Sequence, residues 1–242
     1  MDLNIIEVIK NGVESSDAVR AMWIAGSIAD GYSDNLSDVD IWLDINDGKD
    51  EEIFTLVESI LAGQGVLDVN LGEWILPPFS HKVYHLSHMN PYHFIEVTLH
   101  SHSDKYEFTE GIRKAKVIFD KDGITKPVPL DLEAHNAMLA NRAKVLAEKL
   151  KVGRVSVEKE IQRGQFLDAM HNYNFWLLET ILELARIKYS PLKYTYGLKH
   201  GNRDLPKDVA GKVESLCKIK SLDDFKIKID EIEQLANELT KH

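Results

Sequence analysis

The chain has 242 residues, 44% hydrophobic and 28% charged, which excludes a disordered or fibrous chain and leaves room for one large or two modest cores. No apolar run reaches the length of a membrane span, Met1 to Lys10 lack a basic-then-apolar leader, and the single Cys217 excludes an intramolecular disulfide, so a cytoplasmic protein without a membrane partner is expected. The net charge of −10 is uneven: residues 1–130 carry 22 acidic against 10 basic residues and residues 131–242 carry 17 against 19, an imbalance that disfavours nucleic acid and favours cationic small molecules.

Asn4 to Asn11 carries Ile5, Ile6 and Ile9 at the spacing of a short amphipathic helix. Val19 to Ala25 reads as a first strand leading into a Gly26-Ser27 turn. Asp30-Gly31 and Asp34-Asn35 mark a loop, and Val39 to Ile45 a second strand ended by Asn46-Asp47-Gly48. Glu51 to Leu61 has helical periodicity. Residues 66–99 hold further strands, broken at Pro77-Pro78 and Asn90-Pro91. Val117 to Phe119 is a last short strand closed by Asp120-Lys121-Asp122-Gly123, and Pro127 and Pro129 punctuate a linker.

After Asp131 the pattern is helical. Leu132 to Leu150 forms one predicted helix and Val157 to Tyr189 a second, bent at Gly164 and stopped by Pro191. Leu205 to Cys217 and Leu222 to Leu239 form two more, with Pro206 suited to a helix start and Asp208 to an acidic first turn. The expected architecture is α+β: a small mixed sheet with flanking helices over residues 1–130, then an all-helical bundle over 131–242.

The chemistry concentrates in Ile24-Ala25-Gly26-Ser27 and, ten residues later, Asp38-Val39-Asp40-Ile41. Strand residues two apart share a face, so Asp38 and Asp40 project together while Val39 and Ile41 enter a core. Two neighbouring carboxylates repel unless a divalent cation lies between them, and hard oxygen ligands suit magnesium. Gly26 lets the backbone approach an anion, and Ser27 can donate its hydroxyl and N–H to phosphate. Glu96 interrupts the strand-forming run His93 to Leu99, an odd place for a charge unless it faces a site or water. Six histidines lie between residues 81 and 102, but with no Cys–Cys pair or His-Glu-x-x-His helix they read as a strand-and-loop cluster rather than a zinc site.

The Gly26-Ser27 and Asp38-x-Asp40 pattern resembles the signature of the polymerase-β-like nucleotidyltransferase superfamily. Ala115 to Gly123 and Gln162-Arg163-Gly164-Gln165-Phe166 are similar to segments of the aminoglycoside and lincosamide nucleotidyltransferases. The resemblance implies that residues 1–130 form a nucleotidyltransferase domain with two magnesium ions on Asp38 and Asp40. Glu96 would be a third ligand or a general base, with Glu133 or Glu179 as alternatives for the base. Gly26 and Ser27 would hold the phosphates of ATP as donor, and Lys199 and Arg163, by position, would contact the nucleotide. The implied partners are a nucleoside triphosphate and a small antibiotic-like hydroxyl acceptor. Two other readings stay open: a protein adenylyltransferase of a toxin–antitoxin pair, and a catalytically silent nucleotide-binding module.

Overall fold

The computed structural model describes residues 4–76, 79–104, 106–112 and 114–240. The chain divides into two compact units, Met1–Leu130 and Asp131–His242.

The first unit is a six-stranded mixed sheet. Its elements run α1 (Asn4–Val13), β1 (Val19–Ile24), α2 (Gly26–Asp30), β2 (Val39–Ile45), α3 (Asp50–Ala62), β3 (Leu67–Leu76), β4 (Phe79–Leu86), β5 (Ile95–Ser101) and β6 (Lys116–Asp120). The strand order is β3-β4-β5-β2-β1-β6. Among the described strands β2 and β5 alone pair in parallel, and the chain between them supplies the crossover that a parallel pair requires. The predicted break at Pro77-Pro78 lies outside the described residues.

Alternation along the strands separates two faces. Met22 and Ile24 on β1, Val39, Ile41, Leu43 and Ile45 on β2, and Ile95, Val97 and Leu99 on β5 pack with Ile5, Ile6 and Ile9 of α1 and Ile53, Val57 and Leu61 of α3. Each such aliphatic side chain, fully buried, contributes roughly 1.5–3 kcal/mol. The opposite face carries Ala21 and Trp23 on β1, which pack with Trp42 of β2 and with Tyr106 and Phe108. Trp23 lies 5.7 Å from Trp42 and 5.2 Å from Phe108 between ring centroids, the latter edge-on, a favoured aromatic geometry.

The second unit is all-helical: α4 (Leu132–Gln162), α5 (Phe166–Asn172), a π-helical segment (Tyr173–Leu178), α6 (Glu179–Tyr189), a 3-10 turn (Pro191–Lys193), α7 (Gly201–Asp204), α8 (Lys207–Leu216) and α9 (Leu222–Thr240). Asp131 caps α4 by accepting the Ala134 N–H at 2.9 Å. Pro206 stands at the N-cap of α8 with Asp208 in its first turn. Tyr173, Leu177, Ile181, Leu205, Phe225, Ile229 and Ile232 meet in one core.

The helix boundaries differ from the sequence expectation at one point. The chain does not break between 150 and 157 but runs as one helix from Leu132 to Gln162, and the break falls at Gly164. Gly164 has φ +72°, a left-handed conformation that ends a helix. Gly153 weakens the periodicity but not the helix. A Cβ there would lie 2.6 Å from Trp176 Cβ and 2.7 Å from Leu177 Cδ2, so glycine lets α4 pack closely on the Tyr173–Leu178 segment.

Candidate active site

The site is built where β1 turns into β2. Gly26 lies two residues past the end of β1, after Ala25, and has φ +60°. Its Cα sits against the Asp40 side chain: a Cβ at Gly26 would lie 1.8 Å from Asp40 Oδ2 and 2.8 Å from Cγ. No other residue type fits beside that carboxylate, and none adopts the dihedral as readily. The backbone is fastened at the same place, because Ala25 N–H donates to the Asp40 carbonyl at 2.9 Å. The turn expected at Gly26-Ser27 is the start of the short α2, which closes at Gly31 in the left-handed region, with Gly31 and Tyr32 N–H donating to the Ser27 carbonyl.

The ten residues between Ser27 and Asp38 are ordered by an Asx-type turn. Asp34 Oδ1 accepts Leu36 N–H at 2.8 Å, and Asp34 N–H donates to Ser37 Oγ at 2.9 Å. His93 Nε2 hydrogen-bonds the Asn35 carbonyl and ties this loop to the start of β5.

Val39 and Ile41 are buried in the core, and the residues that alternate with them, Asp38 and Asp40, are half-buried. Asp38 Oδ1 accepts the Phe94 N–H at 2.8 Å, which fixes its carboxylate across the parallel pair of strands. Asp40 is in register with Glu96 on β5. The face that holds Asp40 therefore brings in Glu96 from the next strand, and Glu96 is half-buried.

Further along that face the character changes. Trp42 follows Asp40 and closes the polar strip with the aromatic group of Trp23, Phe79 and Tyr106. Asp44 follows Trp42 and is 1% exposed, yet accepts hydrogen bonds from two imidazoles, His100 Nδ1 at 2.9 Å and His102 Nδ1 at 2.5 Å. A buried carboxylate with both oxygens engaged is satisfied, so this group is structural. His85 likewise pairs with Asp68 at 2.6 Å. Five of the six clustered histidines thus go to different groups: His81 to Glu96, His85 to Asp68, His93 to the Asn35 carbonyl, and His100 and His102 together to Asp44. Among the described residues no three His, Cys, Asp or Glu side chains converge as a metal cage.

The donor set of Asp38, Asp40 and Glu96 is nonetheless all carboxylate oxygen, the chemistry that hard cations prefer. Magnesium is commonly held by one or two carboxylates together with substrate phosphates rather than by a complete protein cage. The residues present fit that mode, and the open backbone at Gly26 leaves the approach to Asp40 unobstructed by a side chain.

Arg163 and Lys199 belong to the second unit and lie apart from each other in the chain. Arg163 is the exposed C-cap of α4 and pairs with Glu160 at 2.7 Å. Lys199 has an exposed side chain, but its backbone is held by a residue that the sequence did not single out. Arg186, fully buried, donates through Nε to the Gly197 carbonyl at 2.8 Å and through Nη2 to the Lys199 carbonyl, and pairs with Asp204 at 3.4 Å. Burial opposes the charge of Asp204, but the Arg203 and Arg186 bonds and nearby Lys193 hold its carboxyl below the usual range. Glu133 and Glu179 are both exposed on this unit. The other residue missed by the sequence reading is His81, whose Nε2 lies 3.2 Å from Glu96 Oε2.

No family model matches the chain, and no curated protein matches it. Among solved structures, the chain resembles antibiotic adenyltransferases. One is an aminoglycoside 6-adenyltransferase from Bacillus subtilis, with 13% identity over 97% of this chain and 87% of that one, at a TM-score of 0.39. Another is a spectinomycin adenyltransferase from Enterococcus faecialis, solved with ATP and spectinomycin, with 14% identity over 98% of this chain and 99% of that one, at a TM-score of 0.38. At such identities and TM-scores, the chemistry of this chain is read from its own residues. Among the described residues no helix is long and apolar enough to cross a membrane.

Proposed function

We propose that this chain is a magnesium-dependent nucleotidyltransferase. In this reading it moves an adenylyl group from ATP to a hydroxyl of a small antibiotic-like acceptor, an aminoglycoside or lincosamide, and releases pyrophosphate. The observation that carries the reading is the contact of the Gly26 backbone with the Asp40 carboxylate, with Glu96 in register beside it. A glycine held at φ +60° lets the Asp40 carboxylate lie against the backbone, where a larger side chain would displace it.

In this reading Asp38 and Asp40 would hold the two ions, with Glu96 as a third ligand or the general base. Bound magnesium would neutralise charge on the phosphate oxygens and on the attacking and leaving oxygens. Gly26 and Ser27 offer N–H and hydroxyl donors to the β- and γ-phosphates. Glu96 accepts the proton of the acceptor hydroxyl as the new oxygen–phosphorus bond forms and the bond from the α-phosphorus to pyrophosphate breaks. The excess of acidic residues in 1–130 supports a cationic acceptor such as an amino sugar.

The test is pyrophosphate release from ATP against a panel of amino-sugar and lincosamide acceptors, with magnesium or with EDTA. Magnesium-dependent release with a small acceptor is expected. Labelling of a protein with no small-molecule turnover would favour the protein-modifying reading. ATP binding that is equally tight in EDTA, with no turnover, would favour a silent binding module.

A further inference from the structure

Glu96 is placed between two neighbours of opposite effect. On one side Asp40 of β2 is in register with it. A like charge directly across a strand pair is unfavourable and pushes the flexible glutamate away from a single rotamer. On the other side β4 runs antiparallel to β5, with Val83 opposite Glu96 and His81 opposite Thr98. His81 and Val83 are two apart, so they share a face, and His81 is the diagonal neighbour of Glu96. Its Nε2 lies 3.2 Å from Glu96 Oε2, with the imidazole side chain 26% and the carboxylate 35% exposed. An ionised carboxylate only accepts, so the hydrogen of this bond is on His81 Nε2. The adjacent Lys82 is engaged elsewhere, with Glu58 at 2.7 Å.

We infer that His81 is a positioning residue: by donating Nε2–H to Oε2 it holds the Glu96 carboxylate in the orientation from which that group acts. The inference rests on the nucleotidyltransferase reading of Glu96. It adds a third strand to the site. β2 supplies Asp40, β5 supplies Glu96, and β4 supplies the group that holds Glu96 in place. Small losses of alignment at a reacting centre are expensive, and removal of a residue that orients a ligand or base commonly costs 10- to 100-fold.

Four proteins test this: His81→Leu, His81→Gln, Glu96→Gln and the His81→Leu/Glu96→Gln double variant. Gln replaces the donor at about the reach of Nε2, whereas Leu removes it. With a working acceptor, His81→Leu is expected to lower kcat roughly 10- to 100-fold with KM for ATP changed less than about two-fold. His81→Gln is expected to recover most of the rate. The double variant is expected to be no slower than Glu96→Gln, because the two side chains act as one unit. A readout independent of turnover is the imidazole ¹⁵N spectrum of the unliganded protein. His81 is expected to carry its proton on Nε2 in the wild type. Wild-type turnover in His81→Leu, fully additive losses in the double variant, or an unprotonated Nε2 would each overturn the assignment while leaving the transferase reading intact. A wild-type protein that binds no magnesium-dependent ATP and turns over no acceptor would overturn both.

Discussion

A Cβ placed on Gly26 would lie 1.8 Å from Oδ2 of Asp40, so the two residues occupy the site only because one of them has no side chain. That pairing couples a backbone requirement to a chemical one. Gly26 needs φ +60°, and Asp40 needs the space beside it.

Gly26→Ala is therefore expected to act on both. The methyl group must displace the carboxylate or the turn, and alanine strains in the left-handed region at a cost of roughly 1–3 kcal/mol. Because displacement of about 1 Å at a reacting centre costs on the order of 10²-fold, transfer should fall by at least that amount. Thermal melting and steady-state kinetics measure the two effects. Unchanged kinetics would show that Asp40 is not required where it stands.

Asp38→Asn and Asp40→Asn are expected to abolish transfer and leave the fold intact. Asparagine at position 38 still offers an oxygen to the Phe94 N–H, so the 2.8 Å bond that ties β2 to β5 survives while the charge is lost. Removal of one like charge should leave stability without metal equal or slightly higher. Circular dichroism with turnover at saturating magnesium checks this, and near-wild-type rates would rule out the site.

Glu96→Gln separates the roles of the third carboxylate. A general base should lose about 10²–10⁴ in turnover with nucleotide affinity almost unchanged. A metal ligand should lose magnesium-dependent ATP binding as well. We expect turnover to fall far more than affinity, because Glu96 stands in register beside Asp40, where a carboxylate can hold a cation and still face the acceptor hydroxyl. Calorimetric titration of ATP with and without magnesium, alongside kinetics, distinguishes the two. Unchanged turnover would remove Glu96 from the role of base.

Asp120 sets an acid limit on stability. Burial disfavours its charge, but this is outweighed by Thr125 Oγ1 at 2.7 Å and by the N–H groups of Thr125, Ile124 and Gly123, so its carboxyl is held below the usual range. A carboxylate with a depressed folded-state pKa contributes stability above its unfolded value, and that contribution is lost as pH falls through the folded one. Asp120→Ala is expected to lower stability at neutral pH by roughly 1–3 kcal/mol, through loss of the acceptor for these donors, and to flatten the acid limb of the denaturation curve. Chemical denaturation between neutral pH and pH 3 measures this. Parallel curves for wild type and variant would contradict it.

Most of the frame was legible because local patterns encode it. The alternation Asp38-Val39-Asp40-Ile41 identifies a strand with two unlike faces, and the structure buries Val39 and Ile41 accordingly. Asp131, Pro206 and Asp208 mark helix starts by capping and charge rules that need no tertiary partner. The bend expected at Gly164 is present, but the gap expected between Leu150 and Val157 is not, and the two glycines of this stretch, Gly153 and Gly164, act differently. One packs against Trp176 and Leu177 inside a continuous helix, and the other takes φ +72° and ends it.

The sequence by itself determined the alternating strands and the helical second unit, since period and caps are local properties, and residue chemistry nominated the carboxylates. Strand order and register were decided only in three dimensions. They bring Glu96 beside Asp40 and His81 diagonally against Glu96, residues on three different strands whose pairing depends on which edges meet. The same holds for Arg186, whose buried guanidinium is satisfied by the carbonyls of Gly197 and Lys199 and by Asp204. A buried charge is stable only with such partners, and its own stretch of helix does not specify them.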